Sequence, residues 1–188
     1  MSFITHSRTK LLAAFLASIV PSLHANAQGG SSSTAYSIGA NAGLAIPVSD
    51  LSSFTSSGYT VGITLGMHQA LAPLSFRLEG NFTELPWSGG NSSTKHRIYG
   101  FALDGLYNLG TVSTNGGLYL TGGVGYYGWK DTGTLFGDTQ TTWDFGINAG
   151  LGYYLPLSGF TMYFEGRYTN VFSDVHQALF PITVGITF

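Results

Sequence analysis

The sequence predicts an all-β fold, an eight-stranded antiparallel up-and-down transmembrane β-barrel. Three observations lead to this prediction. Apolar and polar residues alternate along eight segments, which is the period of a β-strand. Only 9% of the residues are charged, against roughly 25% in an average water-soluble domain. Beyond the first 27 residues, no segment offers the ~18 consecutive apolar residues of a membrane helix, so a closed barrel is the arrangement that satisfies every backbone polar group in lipid.

The first 27 residues have the pattern of a secretory signal peptide. Arg8 and Lys10 precede an apolar run over 11–20, and Ala25-Asn26-Ala27 supplies small residues at a cleavage site. The run is about half of the roughly 20 residues that a spanning helix needs, so cleavage after Ala27 is favoured over a membrane anchor. Residues 28–34 form a Gly- and Ser-rich lead-in that we expect to be flexible, and residues 35–188 form the barrel domain.

Charge and cysteine content narrow the functional classes. Removing Arg8 and Lys10 from the seven Lys and Arg leaves five against nine Asp and Glu, so the formal charge falls from -2 to -4. This balance argues against nucleic acid as a partner. The chain has no cysteine, so we expect backbone pairing and burial, rather than disulfide bonds, to hold the fold.

Eight alternating segments are separated by turn-forming residues, and an even number of strands is typical of single-chain bacterial barrels. The predicted strands cover residues 35–46, 58–68, 74–84, 96–109, 117–129, 142–155, 160–170 and 180–188.

The first four strands differ in how cleanly they alternate. The first and second place Gly, Ser, Thr and Asn between apolar residues. The third sets Leu and Phe against Arg77 and Glu79. The fourth alternates except at Ile98 and Leu106, which fall on its polar face.

The next three strands follow the same rule. The fifth is the least regular, because Tyr119 and Tyr127 fall among the Gly and Thr of its polar face. The sixth alternates throughout, with Gly, Asn and Asp on one face. The seventh carries Tyr163, Glu165 and Arg167 on its polar face.

The eighth strand ends the sequence on an aromatic residue. We expect it to pair with the first strand, because an open edge is not tolerated in lipid. Its apolar face comprises Phe180, Ile182, Val184, Ile186 and Phe188. On this assignment Val184→Arg is expected to be destabilising and Gly185→Ser, on the opposite face, to be mild.

The connections alternate in length, which orients the barrel. Such barrels have short periplasmic turns and longer extracellular loops, so both termini are expected in the periplasm. The predicted outer loops are 47–57, 85–95, 130–141 and 171–179, and the predicted inner turns are 69–73, 110–116 and 156–159. Aromatic residues near the strand ends predict two interfacial girdles: Trp87, Trp129 and Trp143 outside, and Tyr107, Tyr153, Tyr154, Phe160 and Phe188 inside.

A water-soluble barrel of the lipocalin type is the main structural alternative. Its apolar face would point inward, and its outer face would need many Lys and Glu. Here the polar face consists mainly of Gly, Ser, Thr and Asn. This composition favours a narrow, packed, polar lumen inside a membrane barrel.

With its signal pattern, alternating strands and terminal segment 182–188, the chain resembles the small outer-membrane β-barrel family that includes OmpX and the OmpA transmembrane domain. The likeness spans 28–188. It implies a location in the bacterial outer membrane, and partners that include outer-membrane lipid and lipopolysaccharide and the barrel-assembly machinery. No segment resembles the peptidoglycan-binding domain that often follows such barrels. In this resemblance the assembly signal is formed by Phe180, Ile182, Val184, Ile186 and Phe188.

Charged residues on the predicted inward faces are the main candidate site. The third and seventh strands lie four apart in an eight-stranded closure, so their charges are expected to face each other across the lumen. Pairing is expected because an unpaired buried charge costs several kcal/mol. The predicted lumen charge network is Arg77, Glu79, Asp104, Asp144, Glu165 and Arg167.

This network has two interpretations. It is either a structural plug, which we favour, or a gate in which an arginine exchanges carboxylate partners and opens a narrow path. The corresponding functions are envelope integrity or surface interaction, and a narrow gated channel for small solutes or hydrophobic compounds. Loops on a rigid scaffold commonly carry binding, but their sequence does not identify an extracellular ligand. We expect a monomer.

A lipid-modifying enzyme is the least favoured function. It would need a converging Ser, His and acid, whereas His68 lies near the periplasmic end and His96 and His176 near the extracellular end. A metal site at the outer rim is also disfavoured, because the spacing has no ligand motif and solvated loop residues are the simpler interpretation. We expect no cofactor; the rim residues considered are His96, His176, Glu84, Asp138 and Asp174.

Overall fold

The computed structural model describes residues 34–69, 73–88, 94–109, 116–133, 140–173 and 177–188. The predicted signal peptide (1–27), the predicted lead-in up to residue 33, and the rim candidates Asp138, Asp174 and His176 lie outside these residues.

Eight antiparallel strands form one closed barrel in which each strand pairs with its neighbours in the sequence and the last pairs with the first. The predicted fold class is therefore confirmed. The strands are β1 (Thr34–Val48), β2 (Gly58–Gln69), β3 (Leu74–Pro86), β4 (Lys95–Asn108), β5 (Gly117–Thr132), β6 (Thr142–Leu157), β7 (Phe160–Val171) and β8 (Gln177–Thr187), with a short 3-10 helix at Ser49–Ser53.

Closure between β8 and β1 takes the expected form. Ala42 lies opposite Val184, and Leu44 lies opposite Ile182. Below them Ile38 donates to the carbonyl of Phe188 at 3.1 Å and accepts from its backbone N–H at 2.9 Å. The seam therefore leaves no strand edge in the membrane.

Several strands extend farther at the outer end than predicted. The pairing of β4 with β5 continues to Lys95 and Thr132, and β8 begins at Gln177 rather than at residue 180. The predicted bounds stopped where apolar alternation stops. Backbone hydrogen bonds, which do not depend on side-chain polarity, carry the ladder beyond that point. The outer loops are correspondingly shorter than predicted.

The two faces of the barrel have opposite characters. Large apolar side chains such as Ile38, Ile63 and Phe101 are more than half exposed on the outer face, whereas Thr60 and Thr64 on the inner face are buried. Burying the polar face and exposing the apolar face is the reverse of a water-soluble barrel. The outer face is therefore the lipid-facing surface.

Within the described ranges, no helix has the length and apolar character needed to cross a membrane.

Aromatic residues form an outer girdle, although two predicted girdle members are wrong. Trp143 stacks outside the barrel on Phe101 and Tyr126, with ring centroids 6.2 and 5.3 Å away. Trp129 and Tyr154 instead lie on the inner face with the lumen residues, Tyr154 stacking on an inner tyrosine. Position near a strand end predicts the depth of a residue, but the parity within the strand decides its face.

Inward-pointing tyrosines occupy space that glycines leave open on neighbouring strands. A Cβ atom at Gly185 would lie 2.2 Å from Cζ of Tyr163, and one at Gly152 would lie 2.2 Å from Cζ of Tyr119. Both tyrosines are almost fully buried. The glycine-rich polar face is thus what allows aromatic side chains inside a narrow barrel.

This contact corrects the expectation that Gly185→Ser is mild. The Tyr163 ring would have to move, so we expect the free energy of unfolding to fall by about 1–3 kcal/mol, as in other overpacked sites. Urea unfolding of the refolded protein in lipid vesicles measures the change. Gly166→Ser, on the lipid-facing surface, is the control for adding the same side chain without a clash, because the nearest atom to a Cβ there is 3.5 Å away. Equal effects of the two substitutions would contradict the packing argument.

Candidate functional site in the barrel lumen

Arg77 on β3 reaches across the lumen to β7. Its Nη2 atom donates to both carboxylate oxygens of Glu165, at 2.9 and 2.8 Å, and lies 3.4 Å from Oδ2 of Asp104 on β4. Its guanidinium carbon also lies 5.7 Å from the ring centroid of Tyr163. Strands four apart in sequence are thereby joined through the centre of the barrel.

Arg167 on β7 makes the reciprocal contacts. Its Nη2 atom donates to Oε1 of Glu79 at 2.7 Å, and its Nη1 atom donates to Oδ2 of Asp104 at 2.9 Å. Asp104 therefore accepts from both arginines. Each arginine bridges β3, β4 and β7, so the network fixes the separation of these strands.

Neutral side chains complete the network. The Tyr119 hydroxyl donates to Glu165 at 2.8 Å, and the Asn148 side chain donates to Asp104 at 2.9 Å. We name the five charged members Arg77, Glu79, Asp104, Glu165 and Arg167 the lumen network; all are buried. Two guanidiniums against three carboxylates leave one negative charge in excess when all are ionised.

Asp144, the sixth residue of the predicted network, lies apart from it. Its Oδ2 atom accepts a hydrogen bond from Nε1 of Trp129 at 3.0 Å. Asp144 lies on β6 two inward-facing positions above Asn148, the residue that donates to Asp104, so it stands nearer the outer end of the lumen than the network does. Strand parity correctly gave its face but not its depth relative to β3 and β7.

An apolar cluster lies at the outer end of the lumen, above the network. It includes Leu51, which the 3-10 helix after β1 carries over the opening and which is completely buried. Phe54 and Trp129 pack against this cluster. We name it the outer cap; its buried members are Ala45, Leu51, Leu85, Ile98, Tyr127, Val171 and Leu179.

A second cluster lies below the network, at the inner end of the lumen. Tyr119, Tyr163 and Leu106 are buried together, and Tyr154 packs against them. The rings of Tyr154 and Tyr119 stack with centroids 4.3 Å apart, and Tyr163 meets Tyr154 edge-on at 6.0 Å. We name these four residues the inner cap. Ile98 and Leu106, which break the alternation of β4, are therefore cap residues.

A cavity of about 20 Å³ lies beside Glu79, Asn81 and Arg167, between Thr60 and Thr169. This is about the volume that one water molecule requires. Side chains of the lumen network, Glu79 and Arg167, border this cavity.

His96 lies inside the outer end of the barrel rather than in a solvated loop. Its side chain is buried, and Nδ1 lies 2.7 Å from Oδ1 of Asp131. Glu84 was considered together with His96 as a metal ligand. It accepts a hydrogen bond from Nε of Arg97, which lies on the face of β4 opposite to that of His96. The two candidate ligands are thus on opposite sides of the barrel wall, and the described ranges contain no group of three His, Cys, Asp or Glu placed to hold a metal ion.

The terminal-strand residues all lie on the lipid-facing surface. Phe188 is the most exposed of them, and its ring centroid lies 6.1 Å from that of Phe160 on β7. These residues are Phe180, Ile182, Val184, Ile186 and Phe188.

The outer cap is the feature that sequence reasoning missed. Leu51 sits in a polar loop, and its role depends on the 3-10 turn that returns it over the barrel. A usable signal was present in Ile98, Val171 and Leu179, apolar residues on otherwise polar faces near the outer strand ends. Their convergence follows from closure of the barrel.

The chain is similar to solved outer-membrane barrels. It is 18% identical to neisserial surface protein A, covering 82% of this chain and 97% of that one, with a TM-score of 0.54. It is 14% identical to a major outer membrane protein from Thermus thermophilus, covering 83% and 98%, with a TM-score of 0.58. At these identities the likeness concerns the fold. A search of curated proteins finds no match.

Residues 12–188 match a family model described as the outer membrane protein beta-barrel domain. The match covers nearly the whole chain, including every strand of the barrel. The lipid-facing surface and the closed topology are those that a membrane barrel requires. The chain therefore belongs to the outer membrane protein β-barrel family and is a protein of the bacterial outer membrane.

Proposed function

We propose that this protein is a closed, non-conducting barrel that serves the envelope structurally and presents its outer rim for surface interaction. The observation that supports the proposal is the succession of buried groups along the lumen: the outer cap, the lumen network and the inner cap. A solute would have to displace two packed clusters and separate buried ion pairs, and separating such a pair costs several kcal/mol.

The outer rim supports the second part of this proposal. Phe54 and Trp87 pack with centroids 5.0 Å apart, and Ser56 and Ser88 are linked by a 2.9 Å hydrogen bond. The first two outer connections are therefore tied together above the barrel. A rigid rim is suited to recognition by the loops that it supports.

A gated channel is the second candidate function, and one observation favours it. Each arginine of the lumen network lies near a carboxylate beyond its main partners: Arg77 Nε is 3.7 Å from Glu79, and Arg167 Nε is 3.4 Å from Glu165. An exchange of partners would need only small side-chain movements. Such an exchange opens a path only if both caps also move.

Planar-bilayer conductance of the refolded protein tests these functions. We expect no discrete openings, and we expect Arg77→Ala and Arg167→Ala to remain silent because both caps stay closed. Leu78→Ala, next to Arg77 but on the lipid-facing surface, is the matched control. Discrete openings of the wild-type barrel would contradict the closed barrel. A higher conductance of the two arginine variants than of wild type and Leu78→Ala would support the gate.

A further inference from the structure

Positive charge outside the lumen is concentrated on one part of the outer surface. Of the five Lys and Arg after residue 27, two belong to the lumen network. The other three, Lys95, Arg97 and Lys130, lie at the outer ends of β4 and β5. We name these three residues the outer cationic patch.

The strand register places the patch on the lipid-facing side of the wall. Arg97 lies directly opposite Lys130, and two residues farther into the membrane Tyr99 lies opposite Gly128. The same alternation continues to Phe101, an exposed residue of the lipid-facing surface. The intervening His96 belongs to the interior.

The patch lies at the level of the lipid headgroups. One lipid-facing position closer to the membrane centre, Phe82 and Tyr99 lie opposite each other, with ring centroids 5.3 Å apart. Tyr59 continues this aromatic group, 6.2 Å from Phe82. Aromatic girdles mark the boundary between acyl chains and headgroups, and the longer connections mark this end as the extracellular one. The patch therefore faces the outer-leaflet headgroups.

One carboxylate organises the patch without neutralising it. Glu84 is opposite Arg97 in the ladder, accepts from its Nε atom at 2.9 Å and binds Nζ of Lys95. The Glu84 side chain is 8% exposed, whereas those of Lys95 and Arg97 are 40% and 34% exposed. Three cations against one carboxylate leave two positive charges in excess, and they are the accessible part of the group.

The arrangement of Arg97 and Lys130 indicates an anionic ligand. Like charges directly opposite each other on one face of a ladder are destabilising, and an anion bound to both Arg97 and Lys130 would offset their repulsion. Arg97 uses Nε for Glu84, which leaves both Nη atoms outside that hydrogen bond. A guanidinium beside an ammonium group matches the geometry of a phosphate monoester.

We propose that the outer cationic patch binds the phosphate groups of lipid A, the phosphorylated glycolipid anchor of lipopolysaccharide in the outer leaflet. The acyl chains would lie along the apolar surface below Tyr99, and the phosphates would lie against Arg97, Lys130 and Lys95. This inference goes beyond the proposed function, because it concerns the outside of the wall and does not depend on whether the lumen conducts.

Binding of acyl-labelled lipid A to the protein refolded in detergent micelles tests the proposal. Fluorescence anisotropy gives the dissociation constant for lipid A with both phosphates and for the same lipid after phosphatase treatment, in EDTA to remove divalent cations. The variant is K95Q/R97Q/K130Q, and the matched control K95R/K130R keeps every charge. The heat-dependent shift in gel mobility shows that each barrel is folded.

We expect the triple variant to bind phosphorylated lipid A roughly 10- to 100-fold more weakly than wild type, since each cation near an anionic lipid surface contributes about fivefold. K95R/K130R should bind as wild type does. Phosphate-free lipid A should bind wild type and the triple variant equally. If the triple variant does not fold, Lys130→Gln, which leaves the Glu84 contacts in place, should still lower the affinity about fivefold.

Two results would overturn the proposal. One is that the triple variant binds phosphorylated lipid A with the same affinity as wild type. If only Lys130→Gln folds, the corresponding result is that Lys130→Gln binds with the same affinity as wild type. The other is displacement of lipid A by millimolar inorganic phosphate, which would identify a site for a free anion rather than for a lipid headgroup.

Discussion

Replacing Arg167 with methionine is expected to lower the free energy of unfolding by about 3–5 kcal/mol, because it leaves buried carboxylates without their counter-charge. Arg167 donates to Glu79 and Asp104 and lies 3.4 Å from Glu165. After the substitution, Arg77 alone would face three carboxylates. Urea unfolding of the protein in lipid vesicles, followed by tryptophan fluorescence, measures the change.

The double variant R167M/E79Q is the matched control. It removes one positive and one negative charge, so the excess of one negative charge in the lumen is unchanged. Arg77 keeps its contacts with Glu165 and Asp104. Replacing both partners of a buried pair is often neutral, so we expect this variant to recover much of the lost stability. A loss below about 1 kcal/mol for R167M would mean that the network contributes little to stability. No recovery in the double variant would mean that the loss does not come from carboxylates left without a counter-charge.

Val184→Arg is expected to lower the free energy of unfolding by about 2–4 kcal/mol, the cost of an arginine near the bilayer midplane on the lipid-facing surface. Val184 is the middle residue of the five lipid-facing positions of the terminal strand, and it is 43% exposed. The exposed surface contacts acyl chains, which do not solvate the guanidinium. Refolding and urea unfolding in vesicles measure this cost without the cellular assembly machinery.

Tyr59→Arg separates depth from exposure. Tyr59 is also on the lipid-facing surface and is 46% exposed, but it lies opposite Glu84 at the headgroup level. We expect this substitution to cost no more than about 1 kcal/mol. Val124→Arg on β5 provides a second midplane test outside the terminal strand. Equal costs for Val184→Arg and Tyr59→Arg would mean that the membrane boundaries are misplaced.

The terminal strand shows why so much of the fold was predictable. Its two-residue period assigns each side chain to one of two faces, and the apolar face has to contact lipid. The same reasoning applied to all eight strands correctly predicted their number, their order and the closure of β8 on β1. In a barrel each strand pairs with its neighbours in sequence, so local pattern and topology carry nearly the same information.

The details of the lumen required more than a pattern. Alternation predicted that Arg77, Glu79, Glu165 and Arg167 face inward, but not that Asp104 lies between both arginines while Asp144 lies with Trp129. Which inward residues share a level depends on the stagger between strands. That stagger is a property of the closed barrel rather than of any one strand.

The glycines show the same division. The sequence shows that they lie on the polar face. Which of them leave room for a tyrosine ring on an adjacent strand depends on the strand register. Gly185 was expected to tolerate substitution, but the Tyr163 ring lies directly over it.

By itself, the sequence determined the closed membrane barrel and the face of most strand residues, because a two-residue period and the exclusion of water from lipid leave few alternatives. The tertiary structure alone decided which inward residues meet. It brought Leu51 over the lumen, paired each arginine with specific carboxylates, and aligned Arg97 with Lys130 outside the wall. These contacts join residues far apart in the chain, and their distances are set only when the eight strands close with a fixed stagger.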